Sequence, residues 1–62
     1  EIDGFRVLLK HWIEHAEEHT AKYIDLAEKL KEKKPEVSKL LSEAVERFRE
    51  GEKLLEEAYN KL

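Results

Sequence analysis

Three histidines recur at four-residue intervals, and they are the only histidines in the chain: His11, His15 and His19. Side chains four residues apart lie one above the other on one face of a helix. Neutral imidazole is also the commonest metal ligand among protein side chains. The spacing therefore predicts transition-metal binding by a histidine row on a helix.

The three rings are not equivalent as ligands. His11 and His19 are separated by about 12 Å along a straight helix, so one ion would use His15 with either neighbour. Two imidazoles leave a tetrahedral ion half coordinated, and Glu18, water or a second copy of the chain could complete it. Nitrogen ligands favour zinc, nickel or copper. The alternative is that the histidines are polar residues at the edge of a helix interface and bind no metal.

The histidine row lies in a segment with helical periodicity. Apolar and small residues recur there at steps of three and four, which predicts a first helix over about residues 4–33. Asp3 is a plausible N-cap for this helix, although the first few residues also alternate loosely enough for an extended lead-in. The periodic residues are Phe5, Leu8, Leu9, Trp12, Ile13, Ala16, Thr20, Tyr23, Ala27 and Leu30.

A single proline divides the chain. Pro35 disfavours helical backbone at Lys34 and suits the first turn of a new helix, so a second helix is predicted over residues 35–61. The short turn makes the helices antiparallel and places Thr20 opposite Phe48 and Ala16 opposite Gly51. Trp12, Tyr23, Phe48 and Tyr59 are spaced as core residues. The fold class is all-α, an antiparallel two-helix hairpin.

Two helices cannot cover all the apolar surface of the first one. Its apolar residues span an arc on the order of 160°, which is wider than one partner helix covers. We therefore expect a homodimer that forms an antiparallel four-helix bundle, or a neighbouring domain of a parent protein in that place. The expected interface residues are Phe5, Leu9, Trp12, Ala16, Tyr23, Gly51 and Leu55.

Composition narrows the function further. A chain of 62 residues is one small domain that needs support beyond its own core, and with Cys 0 that support is metal or self-association. The net charge of -3 argues against nucleic acid and anionic membranes as partners. No apolar run is long enough to span a bilayer, so a cytoplasmic location is expected. Met 0 suggests a domain excised from a longer protein.

Catalysis is not expected. His15, Glu18 and His19 formally match the inverted zincin pattern H-x-x-E-H, but so short a chain offers no substrate cleft and no remote third ligand. Carboxylate di-iron bundles need a glutamate three residues before a histidine, and none is present. The second candidate function is therefore a structural or protein-interaction module without metal.

One run of residues resembles a known family. The segment from Phe5 to His15 ends in His-Trp-Ile-Glu-His, and Glu18-His19 and a second acidic helix follow. It is similar to a family of small uncharacterised prokaryotic helical-hairpin domains. The resemblance covers most of the chain, and it implies a hairpin and a link to accessory proteins of transition-metal handling, with the three histidines as characteristic positions. Ala16 departs from the asparagine expected in that family.

Overall fold

The computed structural model describes residues 2–62, and these form two helices. Helix α1 spans Ile2–Leu30 and helix α2 spans Pro35–Lys61. The helices run antiparallel and pack against each other, and the described residues contain no strand. This confirms the predicted all-α hairpin and the predicted bounds of α2. The four-helix bundle remains a prediction.

The ends of α1 differ from the prediction of residues 4–33. The helix begins at Ile2, so Asp3 lies in its first turn, where its carboxylate is 3.8 Å from the Arg6 guanidinium, and is not the N-cap. The alternative of an extended lead-in is wrong for residues 2–4, which are helical. The helix ends at Leu30, three residues before the predicted end, and residues 31–33 form a turn in which the Lys34 N–H donates to the Leu30 carbonyl at 2.8 Å. Lys34 itself leaves the helical region ahead of Pro35.

Six buried residues form the contact between the helices, and we call them the seam. They recur every seven residues, the interval at which a helix returns to nearly the same face: Ile13, Thr20 and Ala27 on α1, and Ser38, Val45 and Glu52 on α2. Half of the seam residues are polar. The hairpin therefore closes through a mixture of aliphatic, small and polar side chains, with no aromatic residue in the seam.

Hydrogen bonds satisfy the polar seam residues. The Thr20 hydroxyl lies within hydrogen-bond distance of the Glu52 carboxylate and 2.9 Å from the Ala16 carbonyl, and the Ser38 hydroxyl donates to the Ala27 carbonyl at 2.7 Å. No buried side-chain polar atom of the described residues lacks a partner. Thr20 thus lies opposite Glu52, one helical turn from the predicted Phe48. The difference arises because packing selects the seven-residue repeat of small and polar residues.

The large aromatic residues do not form a core within one chain. Trp12 and Phe48 are 55% and 46% exposed, so the prediction that they are core residues is wrong for a single hairpin. Tyr23 and Tyr59 are half-buried. Much of the surface of the aromatic side chains is therefore still exposed after the hairpin has formed.

The hairpin is a thin rod. Its Cα atoms extend over 49 × 15 × 10 Å, with a radius of gyration of 14.6 Å, whereas a compact domain of this length has about 10.6 Å. Its accessible surface is 5301 Å², whereas a compact monomer of 7.4 kDa exposes about 4,200 Å². No helix within residues 2–62 combines the length and apolar character needed to cross a membrane.

Candidate functional site

One side of the rod carries most of the large apolar side chains, and we call it the apolar face. It consists of the residues three positions after and one position before each seam residue, together with their seven-residue repeats. From α1 these are Ile2, Phe5, Leu9, Trp12, Ala16, His19, Tyr23, Leu26 and Leu30. From α2 they are Val37, Leu41, Ala44, Phe48, Gly51, Leu55, Ala58 and Leu62. All seven residues predicted for an interface lie on this face.

A shallow groove of about 410 Å³ crosses the middle of the apolar face. Ala16 and Gly51 lie in it, with Tyr23, Phe48 and Leu55 among its other lining residues. A Cβ atom added to Gly51 would meet no atom within 4 Å, so the glycine is not required for the packing of this hairpin. The two small residues instead leave the backbones accessible at mid-rod, where another helix could approach closely.

The histidine row runs from the solvent side of α1 onto the apolar face. The ring centroids of His11 and His15 are 6.1 Å apart, and those of His15 and His19 are 4.7 Å apart. The row continues from His19 to Tyr23 at 6.4 Å, and from Tyr23 to Phe48 at 5.5 Å. His19 also lines the central groove. Of the three histidines it is therefore the one that joins the row to the apolar face.

The closest pair of rings matches the spacing of two ligands on one ion. With metal–nitrogen bonds of about 2.0–2.1 Å and an angle between 90° and 109°, two coordinated imidazoles have centroids roughly 4.5–5.2 Å apart. The 4.7 Å between His15 and His19 falls within that range, and the 6.1 Å between His11 and His15 does not. Metal binding by either of the two pairings left open by the sequence remains a prediction.

One chain brings together only part of a metal site. Between residues 2 and 62, no three His, Cys, Asp or Glu side chains are grouped closely enough to hold an ion. His11 and Glu18 are seven residues apart and project from the side of α1 that faces away from the seam. Glu18 is thus an exposed neighbour of the pair. Further ligands would have to come from water or another molecule.

The side of the rod opposite the apolar face is polar and carries an acidic cluster. Glu14, Glu17 and Glu56 line a shallow depression there. Partial desolvation, hydrogen bonding with Glu56 and the negative charges of Glu56, Glu52 and Glu14 raise the pKa of Glu17 above its ordinary value of 4.5. The folded chain therefore favours the protonated form of Glu17 more than the unfolded chain does.

This raised pKa predicts an acid-side gain in stability. A carboxyl group whose pKa is higher in the folded state adds stability as the pH falls from neutral toward 4.5. Glu17→Gln is therefore expected to raise the melting temperature near pH 7 and to lose this advantage at about pH 4, where Glu17 itself is protonated. Thermal unfolding at both pH values tests this, with Glu50→Gln on the far side of α2 as the control. An equal gain at both pH values would contradict it.

Comparison with known proteins places the chain in a family. The model of a domain of unknown function, DUF8180, matches residues 5–62. Over 51 residues the chain is 43% identical to an uncharacterized protein of Archaeoglobus fulgidus, and this alignment covers 82% of each protein. No solved structure matches the chain. Because the match spans nearly the whole sequence, the chain belongs to the DUF8180 family.

Proposed function

We propose that this chain is a self-association module, in which two copies bury their apolar faces against each other to form an antiparallel four-helix bundle. The observation that carries the proposal is the exposure of large apolar side chains on one face of the rod, with Phe5 at 57% and Trp12 at 55%. Patches of this kind mark interaction sites, because soluble monomers rarely leave such an area in contact with water.

The exposed area fits a second copy of the chain. The surface exceeds that of a compact monomer by about 1,100 Å², and a standard interface buries about 800 Å² on each partner. The apolar face also runs the length of the rod, from Ile2 to Leu30 on α1 and from Val37 to Leu62 along α2. An identical rod covers it completely in a two-fold arrangement, which is the commonest symmetry of protein dimers.

Sedimentation equilibrium tests this function directly. We expect twice the chain mass of 7.4 kDa at micromolar concentration, and a melting temperature that rises with protein concentration because dissociation and unfolding are coupled. A monomer at all concentrations would overturn the proposal and leave a neighbouring domain of a parent protein as the occupant of the apolar face.

We further propose, as a second function, that the module binds zinc, nickel or copper through His15 and His19. The 4.7 Å between their rings favours this, since it suits two ligands on one ion without movement of the backbone. His11 and Glu18 would be auxiliary groups that hydrogen-bond or orient the ligands from outside. The purpose would be storage, sensing or delivery of the ion.

Metal titration of untagged protein tests this function, and the expected loss of affinity differs among the three histidine variants. Replacing His15 or His19 with alanine is expected to weaken binding by at least about tenfold, whereas His11→Ala retains most of the affinity. Affinity should also fall as the pH is lowered, because protons compete for the imidazole nitrogens. Equal losses in all three variants would contradict assignment to the His15–His19 pair, and no binding by the native chain would reject a metal function.

We propose no catalytic role for the module, and we place it in the cytoplasm. The hydroxyls of Thr20 and Ser38 are buried in the seam, where they bond to Glu52 and to backbone carbonyls. They are thus used in packing and are not available as nucleophiles. The apolar groove is shallow and crosses an exposed face, which suits association better than enclosure of a substrate.

A further inference from the structure

We infer that the metal site is shared between two copies, with helix α1 of one packed antiparallel on α1 of the other and the two-fold axis passing between His15 and His19. Four imidazoles, two from each copy, would then surround one transition-metal ion. This inference rests on the proposed self-association and specifies its geometry. It also explains how a chain with only two adjacent ligands could complete a coordination sphere.

The length of the rod fixes the height of the axis. Two identical antiparallel rods bury the most surface when they overlap completely, which puts the axis at mid-length. Helix α1 spans Ile2–Leu30, so its midpoint is residue 16, and the midpoint between His15 and His19 is residue 17. These heights differ by about 1.5 Å. Maximal overlap therefore brings both histidine pairs to the centre of the dimer.

The small residues of the groove support the same position of the two-fold axis along the rod. Ala16 and Gly51 line the groove together, and the space above Gly51 is open. Helices approach most closely where their side chains are smallest. The waist formed by these two residues thus coincides with the level at which the imidazoles of two copies must meet.

Above and below that level, the side chains of one α1 are complementary to those of α1 in the second copy. When the axis is level with residue 17, the numbers of two α1 residues that face each other, one from each copy, add up to 34. Leu8 then faces Leu26 of the second copy, which pairs two exposed leucines. Trp12 faces Lys22 of the second copy, an arrangement suited to a cation–π contact. In the same register His15 of each copy faces His19 of the other.

The other two-fold arrangement is less favourable for metal. If α1 packed on α2 of the second copy, the histidines would lie beside Arg47, which lines the edge of the central groove. A guanidinium at that position repels a metal cation and offers no lone pair for coordination. The self-pairing of α1 is the arrangement that gathers nitrogen ligands.

Disulfide trapping and metal stoichiometry test the inference together. The chain has no cysteine, so Leu8→Cys/Leu26→Cys introduces the only thiols. Within one helix these positions are about 27 Å apart and cannot be bridged, but they meet across the inferred axis. We expect oxidation to give a covalent dimer in the double variant, and little in either single variant. The native protein should bind one ion per two chains, and Co²⁺ should give the absorption of a tetrahedral nitrogen site.

The outcomes separate this inference from the functions on which it rests. One ion per chain, or a dimer that fails to cross-link through positions 8 and 26, would overturn the shared site while leaving self-association intact. Cross-linking without metal binding by the native chain would reject the ion and retain the helix arrangement. His15→Ala and His19→Ala provide a check that does not depend on cysteine variants, since each should abolish the two-to-one stoichiometry and the cobalt spectrum.

Discussion

Leu41→Asp is expected to dissociate the proposed dimer, whereas Leu40→Asp should weaken it much less. Leu41 is half-buried on the apolar face, whereas the adjacent Leu40 lies at the outer edge of α2 and is 65% exposed. Burial of one leucine side chain contributes about 1.5–3 kcal/mol, and two-fold symmetry doubles the loss. The dissociation constant should therefore rise by at least about 100-fold in the Leu41 variant.

The two substitutions form a matched pair. They introduce the same charge into the same turn of α2 at neighbouring positions, so effects on helix propensity and net charge are equal. Sedimentation and concentration-dependent thermal unfolding of both variants give the comparison. If Leu40→Asp dissociates the dimer as strongly as Leu41→Asp, the apolar face is not the contact surface.

Thr20→Val is expected to destabilise the chain, and adding Glu52→Leu is expected to restore more stability than was lost. Thr20 is 2% exposed and Glu52 is 7% exposed, and the Thr20 hydroxyl is the buried partner of the Glu52 carboxylate. Removing that partner leaves the carboxylate poorly satisfied, at a cost of about 1–3 kcal/mol. Replacing both residues with apolar ones removes the buried charge, a change that in other proteins is neutral or stabilising by about 1–4 kcal/mol.

Thermal and denaturant unfolding at fixed chain concentration measure this cycle. For a domain of this size each kcal/mol corresponds to about 4–8 °C in melting temperature. Ser38→Ala is the control, since it removes the other buried seam hydroxyl, whose acceptor is the Ala27 carbonyl and not a carboxylate. A double variant less stable than Thr20→Val alone would show that the Glu52 carboxylate stabilises the seam by itself.

The hairpin was predictable because its signals are local. Pro35 sets the start of α2, and the spacing of apolar residues is helical on both sides of it. The ends of α1 were less predictable. Lys31, Glu32 and Lys33 all have good helix propensity, so nothing in their types distinguishes a last helical turn from a loop. The position of Asp3 inside the helix depends on backbone geometry that its residue type does not determine.

The α1 half of the seam follows the predicted periodicity, which included Ile13, Thr20 and Ala27. Ser38 and Glu52 of the α2 half were missed, because they are polar and a sequence reading assigns them to solvent. The available signal was their seven-residue spacing from Val45, which places them on the same helical face as a buried residue. The histidine pair was partly predictable: the four-residue interval identified candidate partners, but the separation of the rings depends on side-chain rotamers.

The polar seam also has a consequence for the stability of the chain at low protein concentration. Among residues 2–62 a lone copy buries three apolar side chains, so in the proposed dimer most of the stabilising burial comes from the second copy. In that proposed dimer, folding is second order in chain concentration, and a newly synthesised chain at low abundance is exposed to proteolysis. Cellular levels of the protein should accordingly show a threshold, below which chains are cleared and above which they persist.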